Sequence, residues 1–181
     1  MEYDSQVTKT LGLISVAIVA LWIFRSKRPS TNFSLAELTV TSTGLANDPN
    51  AEQRANLSRL ASEILEPLRA QFGPLTPTSA FRSVAVNQAV GGVSDSSHLT
   101  GAAVDVYAVN GASGEAMAAW LYENRALPIN QVVVYPDSTG HLHIAIELDG
   151  QPYRRSFLEK TSQKQPSGSY YKSWTPGGNV S

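Results

Sequence analysis

Two short segments, Ser96-Ser97-His98-Leu99-Thr100-Gly101-Ala102-Ala103-Val104-Asp105 and His141-Leu142-His143, hold all three histidines of this 181-residue chain. In His141–Leu148 the large aliphatic residues fall at every second position, so on a strand both histidines project from the face opposite the core. Residues 102–108 alternate in the same way, with Val104 and Val106 inward and Asp105 and Tyr107 outward. A fold that makes neighbours of these two strands brings Asp105 close to His143. Gly101, Ala102 and Ala103 lie between His98 and Asp105 and allow close backbone approach, which a plain solvent-facing strand does not need. The chain has no cysteine, which excludes thiolate sites. Imidazole and carboxylate suit a borderline divalent ion, and a catalytic zinc takes three protein ligands and keeps a fourth position open. His98, Asp105 and His143 are the candidate ligands. An ordinary pair of half-buried strands with a polar wet side is the other reading of an isolated H-x-H.

The pattern S-x-H-x-x-G-x-A-x-D, filled by Ser96, His98, Gly101, Ala103 and Asp105, resembles the motif of the zinc D-alanyl-D-alanine carboxypeptidases and related peptidoglycan peptidases. That group shares its site with the lysostaphin-type endopeptidases and the hedgehog domain. Further likeness to the phage and bacterial branch lies in Asn32-Phe33-Ser34, Glu37-Leu38-Thr39, Thr43-Gly44-Leu45-Ala46-Asn47, Leu65-Glu66-Pro67-Leu68-Arg69, Phe81-Arg82-Ser83, Asn87 and Gly91-Gly92. The resemblance implies a bound Zn2+ held by His98, Asp105 and His143, and a substrate-orienting role for Arg82. A surface salt bridge is the other reading of Arg82. Many members carry a glutamate three residues before the last histidine, and here that position is Gly140. His141 is the substitute as general base, since it lies on the same strand face as His143 and an imidazole of pKa near ~6.5 suits proton transfer at neutral pH. Tyr135, Asp137 and Glu147 compete for that role. Ser96 has no base and acid partners of its own and orients the loop rather than attacking substrate.

The function implied is zinc-dependent hydrolysis of peptidoglycan peptides, as a D-Ala-D-Ala carboxypeptidase-like enzyme or an endopeptidase, in a phage virion-associated or lytic setting. A catalytically silent structural or wall-binding module that keeps the fold is the alternative, supported by the missing glutamate. The formal net charge of -1 offers no broad basic field for nucleic acid.

From Leu11 to Phe24 the chain is nearly all apolar, and no charge stands between Lys9 and Arg25. As a helix this run spans about 20–25 Å, enough for an uncleaved single-pass membrane anchor if flanking residues snorkel. A cleaved secretory signal and a partner-binding helix are its rivals. Arg25-Ser26-Lys27-Arg28 after the run places the following domain in the cytoplasm by the positive-inside rule, whereas peptidoglycan lies on the other side. Three resolutions stand: an overridden charge bias, release at lysis, or an anchor in a virion membrane beneath a capsid, with viral capsid or membrane proteins as partners.

Apolar spacing predicts a helix from Asp48-Pro49-Asn50 to about Phe72, ended or kinked at Pro67, and a second from Gly114 to Arg125. Strands are expected at 75–81, delivering Arg82, at 102–108, at 131–135 and at the histidine segment. The expected fold is α+β, a small antiparallel sheet with flanking helices after an N-terminal transmembrane helix. Residues 1–32 form the anchor and linker, 33–160 the zinc peptidase domain, and 161–181 a flexible or partner-docking tail rich in Ser, Gly, Pro and Lys.

Overall fold

The computed structural model describes residues 29–136, 140–165 and 167–177. The expected membrane anchor lies outside those residues. Among the described residues no helix is long and apolar enough to cross a membrane.

One helical stretch carries the core. Asn50 caps it with a reciprocal box, its side chain accepting from Gln53 N while the Gln53 side chain accepts from Asn50 N. The stretch runs as α2 (Ala51–Leu60), a π turn (Ala61–Leu65) and α3 (Glu66–Phe72), after a short α1 (Leu35–Leu38). Pro67, expected to end or kink the helix, does not end it. The π turn inserts one residue just upstream, which is how a helix accommodates a ring that lacks an N–H and crowds the preceding turn. Leu57, Leu60, Ala61, Ile64, Leu65 and Leu68 make the buried stripe of this stretch. After α4 (Val84–Ala89), a last helix, α5 (Gly114–Glu123), adds Met117, Ala118 and Leu121 to the same layer.

The second layer is a six-stranded sheet in the order β1-β2-β4-β3-β5-β6. Its strands are β1 (Leu75–Ser79), β2 (Ala103–Ala108), β3 (Ile129–Val134), β4 (Leu142–Ile146), β5 (Ser156–Lys160) and β6 (Tyr171–Ser173). Val104 and Val106 of β2, Leu142, Ile144 and Ile146 of β4, and Val132 and Val134 of β3 face the helices as one buried surface.

The sheet is mixed rather than antiparallel throughout, because β3 and β5 are parallel. The connection over residues 147–155 explains this: it keeps the chain at the end where β4 finishes and carries it past β3 to the far edge, so β5 must start out in the direction of β3. The expected tail also departs from free coil. Tyr171–Ser173 pairs antiparallel with β5, and Trp174 stacks on Phe157 with ring centroids 6.3 Å apart, so apolar contact anchors the edge strand.

Arg155 fixes the entry to β5 despite a backbone φ of 40°. Its guanidinium donates to the carbonyls of Leu121 (3.1 Å), Asn124 (3.1 Å) and Leu127 (2.9 Å), satisfying orphan acceptors at the end of α5 with a cation placed where the helix dipole is negative. Arg155→Ala removes these bonds and is expected to cost about 2 kcal/mol, measured as a shift in the urea midpoint at unchanged slope.

Candidate metal centre

Two ligands come from the paired strands, where Asp105 of β2 stands directly opposite His143 of β4. His98 comes from the 3-10 turn Ser97–Thr100. Ser96 caps that turn, its Oγ accepting from His98 N at 3.4 Å. The turn is latched to α2 by Gln53 Nε2 donating to Leu99 O and Asn56 Nδ2 donating to Thr100 O, each at 2.9 Å. Arg82 N donates to His98 O at 3.0 Å and ties the turn to the segment after β1.

These elements bring one donor atom each from His98, Asp105 and His143 within 4.8 Å of one another. Asp105 Oδ1 lies 2.8 Å from His143 Nδ1 and 3.4 Å from His98 Nε2. A tetrahedral zinc with ligands at about 2.0–2.1 Å has edges of roughly 3.3–3.4 Å, so little movement converts this cluster into an ion's coordination shell. The surroundings fit that use. His98 is only 3% exposed, and its Nδ1 is 2.6 Å from the carbonyl oxygen of Ala80. A carbonyl can only accept, so Nδ1 carries the proton and Nε2 presents its lone pair to the cluster.

Electrostatics supply the protonation states a metal requires. Burial alone raises the Asp105 pKa, but the hydrogen bond from His143 and the close approach of the His98 imidazole outweigh it and hold the carboxyl far below the usual range. Burial lowers the His143 pKa, with the nearby His98 and the Arg82 charge adding to the effect and Asp105 opposing it, so the imidazole is neutral. An ionised Asp105 carboxylate and a neutral His143 imidazole are ligand forms a divalent ion takes.

Arg82 is turned toward the cluster. Its Nη2 donates to Asp105 Oδ2 at 2.6 Å and its Nε to Ser79 Oγ at 2.8 Å. The side chain thus compensates and orients a carboxylate that is 9% exposed, where an unpaired charge would be costly.

His141 stands just before β4, with Nε2 3.1 Å from Thr78 Oγ1. That hydroxyl also donates to the carbonyl of Asp105 at 3.1 Å, so its lone pair accepts from His141 Nε2–H and the basic nitrogen is Nδ1. The Tyr135 ring is 5.4 Å from that of His141, and burial together with the Asp105 charge pushes its phenol up to about 12, which makes it a hydrogen-bond donor rather than a base. Glu147 lies past the end of β4, roughly 13 Å along the strand from His143, and does not join the cluster. Asp137 is outside the described residues.

Thr78, Ser79 and Ala80 belong to the site and were not expected from the sequence. The β1–β2 register slips between Pro77 and Ser79, and this bulge turns Thr78 toward His141. Pro77 within a strand is the signal that marks such an edge or bulge. Gly140, the position at which the resemblance implies a glutamate, has φ 75°, and a Cβ there would lie 2.9 Å from Ala112 O. The turn before β4 packs on the start of α5 too closely for any side chain at that position.

A family model described as peptidase M15 matches residues 31–145. No curated protein matches the chain. The matched span takes in every residue of the cluster and well over half of the sequence, so the chain belongs to the peptidase M15 family, the zinc D-alanyl-D-alanine carboxypeptidases.

Proposed function

We propose that this protein is a zinc-dependent peptidase of peptidoglycan stems or cross-bridges. The convergence of the His98, Asp105 and His143 donor atoms carries the reading. When bound, the zinc supplies a Lewis acid for the scissile carbonyl and water acidic enough to ionise near neutral pH. The chain's own groups do the rest. Ala80 O and Arg82 keep His98 and Asp105 aimed at a common point. His141, its Nε2–H directed to Thr78, takes the proton of the attacking water on Nδ1 and returns it to the nitrogen of the leaving amine as the C–N bond breaks. Tyr135, still protonated, is a donor for the developing negative charge on the carbonyl oxygen.

The apolar run from Leu11 to Phe24 supports a membrane tether, in a bacterial envelope or a virion membrane, and protection of the domain from added protease in intact membranes tests on which side it lies.

Metal analysis of the purified chain, paired with digestion of isolated peptidoglycan, tests the activity. The expected result is about one zinc per chain and released peptides, both lost on chelation and restored by zinc. Gly140 in place of the usual glutamate favours a second reading, a silent wall-binding module, and bound zinc without released peptides is its outcome.

A further inference from the structure

The sheet face that carries Asp105 and His143 continues across the outer strands. His143 pairs with Val133 and Val133 with Leu158, so the three share that face. Two residues further along, the same face brings together His141 from the turn before β4, Tyr135 from the end of β3 and Lys160 from the end of β5. Their contacts follow the register. The Tyr135 ring lies 5.4 Å from that of His141 at a tilt of 41°, and Lys160 Nζ stands over the Tyr135 ring, 5.6 Å from its centroid. The neighbouring acid, Glu159, belongs to the other face of β5 and pairs with Lys172 of β6 at 3.1 Å, and among the described residues Lys160 forms no ion pair. Pairing with Tyr171 fixes the backbone of Lys160, and Trp174 stacked on Phe157 anchors β6 in turn. Both strands lie beyond residues 31–145, the span that the family match covers.

We propose that Lys160 is a positioning residue for the hydrolysis, its ammonium holding the Tyr135 ring, and through that ring the His141 imidazole, in the attitude that proton transfer needs. The inference rests on the peptidase reading. Thr78 Oγ1 holds Nε2 of His141 at 3.1 Å, but a single hydrogen bond leaves an imidazole able to swing about it. The Tyr135 ring closes that swing on one side. Tyr135 is itself only half-buried, so its ring needs a partner toward solvent. An ammonium over the ring face supplies one through attraction to the ring quadrupole, without any contact to substrate. The β5–β6 hairpin is thereby part of the active site as well as an extension of the sheet.

Lys160→Met, which keeps the length of the side chain and removes its charge, and Lys160→Arg, which keeps a cation, test this in the zinc-loaded full chain. Hydrolysis of a soluble stem peptide is followed as kcat and KM separately. The imidazole Cε1–H signals are followed by proton NMR at one fixed pH, where the three histidines give three signals and His141→Gln assigns that of His141. Lys160→Met is expected to lower kcat about two- to fivefold, the worth of a cation–π contact at an exposed site, with KM and zinc content unchanged. It should also move the His141 signal, which the Tyr135 ring current displaces, and leave those of His98 and His143 in place. Lys160→Arg should restore both the rate and the signal. In a Tyr135→Leu background, Lys160→Met should add no further loss. A raised KM at native kcat would mean that Lys160 touches substrate, and that result, like a His141 signal unmoved by Lys160→Met, overturns the positioning role. Hydrolysis with an unmoved signal defeats this role alone. A moved signal in a chain that cuts no peptide defeats the peptidase reading and leaves the hold of Lys160 on His141 standing.

Discussion

His143→Ala is expected to bind zinc more than about 100-fold more weakly than the native chain and to release no peptide from peptidoglycan above background. Loss of an outer hydrogen-bond partner costs a metal site 10–100-fold, and loss of a ligand exceeds that. The substitution is a clean one because β4 separates its two faces. Leu142 and Ile144 remain in the core, while His143 projects to the cluster, so the strand and its pairing with β2 survive. Asp105 keeps Arg82 on Oδ2 and is not stranded as a buried charge. Zinc also stabilises whatever folded state it binds, by an amount set by its concentration relative to Kd. Chelator should therefore lower the melting temperature of the native chain and leave that of His143→Ala unmoved. A His143→Ala protein that still holds stoichiometric zinc and still hydrolyses would refute the ligand assignment.

The parts of the fold that are periodic are legible in the sequence, and so is their consequence for the site. Alternation in 102–108 and 141–148 places Asp105 and His143 on one face, and the register of β2 against β4 sets them opposite each other. Helical spacing from Leu57 to Leu68 gives the buried stripe, although Pro67 argues locally for a break that the π turn absorbs. What stays hidden depends on contacts between segments far apart in the chain. Thr78 reaches His141 only because β1 slips by a residue against β2, a slip that Pro77 marks as an edge or bulge without saying which side chain it redirects. Strands β5 and β6 are short, carry charges at Glu159, Lys160 and Lys172, and are held by Phe157, Trp174 and the Arg155 bonds to α5, so their composition reads as loop until the partners are known. Arg82 shows the same limit from the other side. Its proximity to the site follows from the resemblance, but its engagement with Asp105 follows from the three-dimensional path between Ser79 and the 3-10 turn.

Gly101 is where stability and metal binding meet, and Gly101→Ala should damage both. The residue closes the 3-10 turn that carries His98, with φ 73°. An alanine there meets the left-handed penalty of about 1 kcal/mol or more. Its Cβ would also lie 2.6 Å from the backbone oxygen of Gln53 and 3.2 Å from Leu57 Cγ. Hydrogen-bonded backbone in the first turn of α2 cannot yield as a flexible side chain would, so the turn must move off the helix, at a further ~1–3 kcal/mol typical of overpacking. A total loss of about 2–4 kcal/mol corresponds to a fall in melting temperature on the order of 5–15 °C for a domain of this size. Moving the turn strains the bonds from Gln53 and Asn56 to the carbonyls of Leu99 and Thr100, which are what register His98 against the sheet. With His98 displaced while Asp105 and His143 stay paired across β2 and β4, zinc affinity should fall about tenfold or more even in the fraction that remains folded. Thermal unfolding and a zinc competition titration on the same preparation separate the two effects. An unchanged melting temperature would mean that the turn does not rest on α2, and a lowered one with native zinc affinity would mean that His98 is positioned by the sheet and Ala80 alone.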